Sequence, residues 1–344
     1  MNKRNFNKFM TKLSQNLNIL DYGFVPLATM DNKNIIKEMT ANFQVNHLPE
    51  YVANSLADRF NPKLQHPEAK TLFICAIPFN SLPQIVPKLF KEAYNSRPFY
   101  GLIANYATFN DYHYESKGIM NALIAELQNF LNIKFNFEIF ADTSPIAERY
   151  FAQLANIGYI GKNHCLKPFH ANSSTFLCGF ICDVEIPKLN FDLTENINNC
   201  SECQKCLIQC PNDVLAGSEF NFKNCISSIS MEQRQFLDKK QREKLHYHIF
   251  GCSNCSTACF TQNEADFKVD LEWFMTESAG KLKKIIKQTA LNYAGLTLLR
   301  RNSLAVLENF NTPESFKLIQ KFSKTTQSPL LQKTCSDILK NFHF

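Results

Sequence analysis

The hydrophobic positions change their period several times along the chain, and each change predicts a different element. Thr71 to Phe79 (TLFICAIPF) is a short, nearly unbroken apolar run, rich in β-formers and closed by Pro78. Such a run predicts a strand buried on both faces. Ile119, Leu123, Leu127 and Phe130 then recur at helical spacing, which predicts a helix with one apolar face. Phe135, Phe137 and Ile139 alternate with polar neighbours and predict a strand running into Ala141-Asp142-Thr143-Ser144-Pro145. Ser144 before Pro145 reads as a helix start, with the serine capping and the proline in the first turn. Asp142 is then expected at the carboxyl end of a strand, just before a helix, where ligand sites of α/β sheets gather.

Gly158-Tyr159-Ile160-Gly161-Lys162-Asn163 reads as a loop whose two glycines permit close backbone approach. Ser174 to Ile186 is again β-like and largely apolar. Past Phe267 the pattern is helical throughout. Leu299, Val306 and Phe310 share a face, and Thr312-Pro313 and Ser328-Pro329 each predict a cap followed by a first helical residue. Three or more short antiparallel helices suggest a HEAT-like remnant with too few units to show a period. The expected division is an α/β domain over 1–190, a cysteine-rich module over 191–266, and a helical segment over 267–344.

Length and charge narrow this picture. A chain of 344 residues can bury a large core, and its 45% hydrophobic content is ordinary for a globular protein. No apolar run approaches the roughly 18 residues of a membrane helix. The first residues, Met1-Asn2-Lys3-Arg4-Asn5-Phe6, hold neither an apolar export core nor a twin arginine. A soluble, reduced, cytoplasmic protein is the expectation. The net charge of +6 is concentrated at one end: from Lys281 onward there are nine Lys and two Arg against three acidic residues. Such a module suits an anionic polymer, although a solvated helical surface would carry the same charges.

Eight of the thirteen cysteines lie between Cys200 and Cys259. Cys200, Cys203, Cys206 and Cys210, followed by Pro211, form the run C-x2-C-x2-C-x3-C-P of bacterial two-cluster ferredoxins, whose fourth cysteine ligates the other cluster. The second group, Cys252, Cys255 and Cys259, has Ala258 where a third ligand would fall, and Cys225 is the substitute. The ligands then divide as Cys200, Cys203, Cys206 and Cys259 for one cluster and Cys210, Cys225, Cys252 and Cys255 for the other. Zinc would fit two C-x2-C pairs but leaves the tight run and its proline unexplained. Disulfides need an oxidising compartment. Cys75, Cys165, Cys178, Cys182 and Cys335 lie scattered in apolar stretches and read as buried free thiols.

With these cysteines behind an α/β domain, the chain resembles the epoxyqueuosine reductase family, cobalamin-dependent iron–sulfur enzymes of tRNA queuosine synthesis. The resemblance rests on Arg59-Phe60-Asn61-Pro62-Lys63, Asp111-Tyr112-His113, Asp142 to Pro145 with Glu148-Arg149, Gly158 to Asn163, both cysteine groups, Cys225-Ile226-Ser227 and, more loosely, Arg301-Asn302-Ser303. It implies an α/β cobalamin-binding domain, a ferredoxin-like module with two [4Fe-4S] clusters, and a C-terminal α-helical, HEAT-like segment that binds tRNA. It further implies reduction of epoxyqueuosine to queuosine at the wobble position, with electrons from an unidentified low-potential donor and a proton from Asp142. By matching position, Arg59, Ala104, Asp142, Lys162, Asn163, Ser174 and Ser227 would line the cobalamin pocket, and Arg300 and Arg301 would meet tRNA. A monomer is expected.

The chain departs from the family at Phe260, at Ala104, where relatives can carry cysteine, and at Tyr247-His248, which replaces an Asn-Arg pair. Without the resemblance, Asp142 before Ser-Pro reads as turn chemistry, Arg59 as a surface ion pair and Ser174 as a strand-edge hydroxyl. His113, in Asp111-x-His113, lacks the following glycine of cobalt-ligating motifs and reads as a packed residue. Two competing functions share the cysteines. A corrinoid reductive dehalogenase would be expected to carry an export signal and a tyrosine acid. A plain electron carrier would leave the first domain unexplained.

Overall fold

The computed structural model describes residues 3–27, 50–92, 99–186, 200–216, 220–260, 262 and 265–341. The apolar run from Thr71 becomes strand β2 (Thr71–Pro78), buried along its length up to Pro78. It pairs with β1 (Asp21–Pro26) on one side and β7 (Thr175–Cys182) on the other, and β4 (Phe137–Phe140) closes the far edge beyond β7. Alternation along β2 sends Phe73, Cys75 and Ile77 to one face and Leu72, Ile74 and Ala76 to the other. The first face is covered by Phe6 and Met10 from the helix Lys3–Asn16 and by Leu123 and Leu127 from the helix Tyr112–Leu131. The second is covered by Phe151 and Ala152 from the helix Glu148–Leu154. Burial on both faces therefore holds, but every pairing in this sheet is antiparallel. The crevice rule for parallel α/β sheets does not apply, and Asp142 owes its position to a loop.

Two further corrections concern the ends of elements. The expected helix at Ser144 starts instead at Glu148 with Ala147 as its cap residue, because the chain from Ala141 to Ala147 is tied into local turns. The region after Phe267 opens with a strand, β9 (Phe267–Asp270). It pairs antiparallel with β3 (Tyr100–Ile103), which on its other side runs parallel to β8 (His248–Phe250). Each of the three expected segments thus contributes one strand to a shared sheet.

The C-terminal helices follow the sequence pattern closely. Leu299 and Val306 are fully buried on the helix Gly295–Phe310. Thr312 caps the helix Pro313–Ser323 with a reciprocal bond to Ser315 and proline in its first turn, and the last helix begins at Pro329. Arg301 is the exception. It is fully buried, and its guanidinium donates to the carbonyls of Gln233, Gln235 (2.8 Å) and Ile229 (3.1 Å). Asn302, also buried, donates to Ser230 O at 2.9 Å and Ile249 O at 2.8 Å. This pair bolts the helix to the cysteine-rich module. Arg300 is partly buried and donates to Glu277 O at 2.7 Å.

The expectation that Arg301 meets tRNA is therefore corrected: its donors are spent inside the protein. Replacing it with methionine strands buried carbonyl acceptors, each costing about 1–3 kcal/mol. Arg301→Met should lower the unfolding free energy by at least about 3 kcal/mol in urea titrations, with exposed Lys317→Met near neutral as control. A loss below about 1 kcal/mol would contradict this account of the buried guanidinium.

Candidate active site and metal centres

The eight clustered thiols arrive from three stretches of chain. Cys200, Cys203, Cys206 and Cys210 lie along one run, with Cys206 buried on the short helix Lys205–Ile208. Cys225 precedes the helix Ile226–Met231, and the backbone of Ser227 and Ser228 hydrogen-bonds its sulfur. Cys252 follows Gly251, whose φ of 63° turns the chain out of β8. A Cβ added at Gly251 would lie 2.7 Å from Ala104 Cβ. Cys255 sits in the helix Asn254–Thr257, and Cys259 just beyond it.

Burial and neighbouring thiols together raise several of these cysteines. Burial, then Cys206 and Cys200, push the Cys259 thiol up to about 11. Burial, then Asp266, Cys225 and Cys210, push Cys252 up to about 12. Cys255 is raised by burial and by Cys165, Cys252, Cys225 and Cys210. Thiols so crowded become thiolates when a cation shares them, and eight of them within one module are a donor set that iron–sulfur clusters take.

Sequence reading left Cys165 among the scattered thiols, yet it lies beside both groups. Its place follows from the segment Gly158 to Asn163. That segment is a hairpin, β5 (Gly158–Ile160) against β6 (Leu166–Pro168), and its turn points at the cysteines. A Cβ on Gly161 would sit 3.4 Å from Cys200 Sγ. Lys162 Nζ donates to Ser201 O at 3.1 Å and Cys203 O at 3.0 Å. Asn163 Nδ2 donates to Cys255 O at 2.8 Å and faces Cys259 Sγ at 3.6 Å. The polar groups of Lys162 and Asn163, expected at a cobalamin pocket, are thus spent on the cysteine module. Ala104, expected there too, is fully buried behind Gly251.

Asp142 stands in a separate constellation. Its φ is 60°, a left-handed conformation that aspartate tolerates better than most residues. Its backbone N–H donates to Glu148 Oε1 at 2.5 Å, and its carboxylate accepts from Tyr112 Oη at 2.8 Å. Ala147 N donates to Arg59 O at 2.7 Å, so Arg59 anchors the same loop. His113 Nε2 is 4.0 Å from Asp142 and its Nδ1 is 2.6 Å from Asp111. The Asp142 side chain is 69% exposed, whereas burial and then Asp142 push Glu148 up to about 8. Tyr51, Glu232 and Tyr293 complete the surroundings, and Tyr293 Oη donates to Glu232 Oε2 at 2.9 Å.

Tyr106 links the two regions. Burial raises its hydroxyl first, and Asp142, Asp266 and Cys252 follow. One buried ring therefore feels both the candidate acid and a cluster thiol. Sequence reading missed Tyr106, Tyr112 and Glu148 as site residues. The last two stood inside the family-like stretches, while Tyr106 gave no local signal.

Two family models match. One, described as "Epoxyqueuosine reductase QueG, DUF1730", covers residues 59–143. The other, a "4Fe-4S double cluster binding domain", covers residues 199–261. The chain is similar to the epoxyqueuosine reductase family. A relative from Cyclobacterium marinum is 28% identical over 61% of this chain and 64% of its own length. One from Staphylococcus aureus is 23% identical over 92% of this chain and 86% of its own. The match thus spans less than two thirds of the Cyclobacterium relative. The fold is shared with the epoxyqueuosine reductase of Streptococcus thermophilus, at a TM-score of 0.77 with 21% identity, covering 98% and 91% of the two chains. It is also shared with an epoxyqueuosine reductase solved with a tRNA-Tyr epoxyqueuosine-modified stem loop, at 0.72 with 20% identity, covering 98% and 90%. The cysteine-rich module is an iron–sulfur domain, and the double-cluster match encloses all eight family cysteines. Among the described residues no helix is long and apolar enough to cross a membrane.

Two outcomes follow from this geometry. Cys225→Ala removes a ligand from one sulfur group only, so anaerobically reconstituted protein should drop from about eight irons to about four, the content of one cubane. One electron paramagnetic resonance signal should persist; loss of all iron would show that the groups are not independent. Glu148 carries the second. Its folded value of about 8 lies above the unfolded carboxyl value, so the folded state holds an extra proton between roughly pH 4.5 and 8. Stability should fall as pH rises through that window. Glu148→Gln should flatten the decline in thermal melts across the same range, and an unaltered slope would remove Glu148 from the linkage.

Proposed function

We propose that this protein reduces epoxyqueuosine to queuosine in tRNA. The observation that carries the reading is Tyr106, which packs through Phe79 toward Tyr112, the hydrogen-bond partner of Asp142, and lies against Gly251, the residue before Cys252. Removing an epoxide oxygen takes two electrons and two protons. Both C–O bonds break, the two carbons form an alkene, and the oxygen leaves as water. Two [4Fe-4S] clusters would relay the electrons singly. Asp142, exposed at its loop and bonded to Tyr112, would give a proton to the departing oxygen.

Cobalamin is the group the family implies. Tyr51 and Tyr293, 55% and 49% exposed beside half-buried Arg59, offer the apolar face and cationic rim that a corrin fits. Arg59, Asp142, Ser174 and Ser227 are the residues that would hold it. When bound, it would supply a low-potential cobalt between the clusters and the epoxide. The chain's own part is to fix the acid, shelter the site and bring a cluster near it.

For tRNA, the lysines replace the arginines of the original expectation. All nine from Lys281 onward are exposed, while Arg301 is buried and Arg300 partly so. The basic surplus therefore faces solvent, where it can meet phosphates with steep salt dependence. A relative from the same family was solved with a modified tRNA stem loop, which supports the same partner here. A plain electron carrier would have no use for the Asp142 constellation.

Asp142→Asn keeps the shape and removes the acid. Deoxygenation of epoxyqueuosine-containing tRNA should fall by at least about 100-fold, the scale of a lost general acid. Iron content should match the parent. Near-parent turnover across a pH series would return Asp142 to turn chemistry alone.

A further inference from the structure

The turn of the β5–β6 hairpin presents a buried amide to both sulfur groups. Asn163 is only 6% exposed, so each of its polar atoms needs a partner within the protein. Its Oδ1 accepts from Cys165 N at 3.1 Å. That fixes the amide's orientation and turns Nδ2 toward Cys255 O at 2.8 Å and Cys259 Sγ at 3.6 Å. The reverse orientation would set an oxygen against a carbonyl and a thiolate. Cys259 belongs to the first sulfur group and Cys255 to the second. One side chain therefore bonds to the sulfur of one ligand and the backbone of another.

We propose that Asn163 is a positioning residue for electron transfer: its N–H raises the reduction potential of the cluster held through Cys259 and fixes that ligand against the segment of Cys255. The proposal rests on the two-cluster reading above. Reduction adds one electron to a cluster already bearing four thiolates, and hydrogen bonds to the sulfurs are among the factors that set its potential. A donor on Cys259 Sγ stabilises the added charge. Gly161 and Lys162 make the approach possible. The glycine leaves room at Cys200 Sγ, and the ammonium ties down the carbonyls of Ser201 and Cys203. Nδ2 reaches the second group only through a main-chain carbonyl, so that cluster should feel the amide less.

The test compares full-length parent, Asn163→Leu and Asn163→Asp, reconstituted anaerobically, assayed for iron and titrated potentiometrically with electron paramagnetic resonance detection. Asn163→Asp keeps the acceptor for Cys165 N and replaces the donor with an anion, so the turn should survive. All three proteins should hold the same iron. In Asn163→Leu one midpoint should move negative while the other stays, and Asn163→Asp should move that same midpoint further. Parent-like midpoints in Asn163→Leu, or equal shifts of both clusters, would overturn the proposal. Loss of iron from Asn163→Asp would leave a structural role and overturn the tuning. A parent without iron would instead sink the two-cluster reading, before Asn163 comes into question.

Discussion

Eight thiols from three stretches of chain must meet in one module, and the rest of the architecture answers to that demand. The first run brings four sulfurs with little help, because its spacing winds them around a short turn. The other four need a frame. Cys225 is carried by a helix that Arg301 and Asn302 clamp through the carbonyls of Ile229 and Ser230. Cys252 hangs from β8, a strand held in a sheet with β3 and β9. The C-terminal helix, the central sheet and the hairpin turn all meet the cysteine module. Buried polar contacts make the junctions, and such contacts are costly to leave unpaired. Their specificity is positional: a carbonyl must be where a donor points.

Much of this frame was legible in the sequence, and the legible parts share a physical cause. Strand β2 reads from its apolar run because burial on both faces leaves no room for polar side chains. Thr312-Pro313 reads as a helix start because capping is local. The double-cluster module reads from its cysteine spacing because covalent reach limits which sulfurs can share a cluster. Where reading failed, the deciding partner was distant in sequence. Ser144-Pro145 carries a good cap signal, but the loop is tied to Arg59 O and the helix waits until Glu148. Phe267 to Asp270 reads equally as the start of a helical region, and only β3 makes it a strand. Arg301 looked like surface charge because a guanidinium amid lysines gives no sign of the carbonyls it meets.

The same distinction separates the two kinds of basic residue at the C-terminus. Lysine keeps its charge on a flexible stem and loses little by staying in water. Arginine carries five donors in a rigid plane, suited to satisfying several carbonyls at once. Arg301 meets three backbone oxygens and Asn302 Oδ1, a task that no lysine geometry fits. Arg242 does likewise, fully buried between Glu308 and Asp337. From Lys281 onward the two arginines serve internal joints and the lysines the solvent face.

The Asp142 constellation raises a matching question about protons. On the proposed reaction two protons are consumed, and one neighbour of Asp142 already holds a proton. Burial and the adjacent Asp142 keep Glu148 protonated up to about pH 8. Its Oε1 already accepts from the Asp142 backbone, so the two carboxyl groups share one loop. On that reading the buried Glu148 would hold the second proton beside the loop that delivers the first.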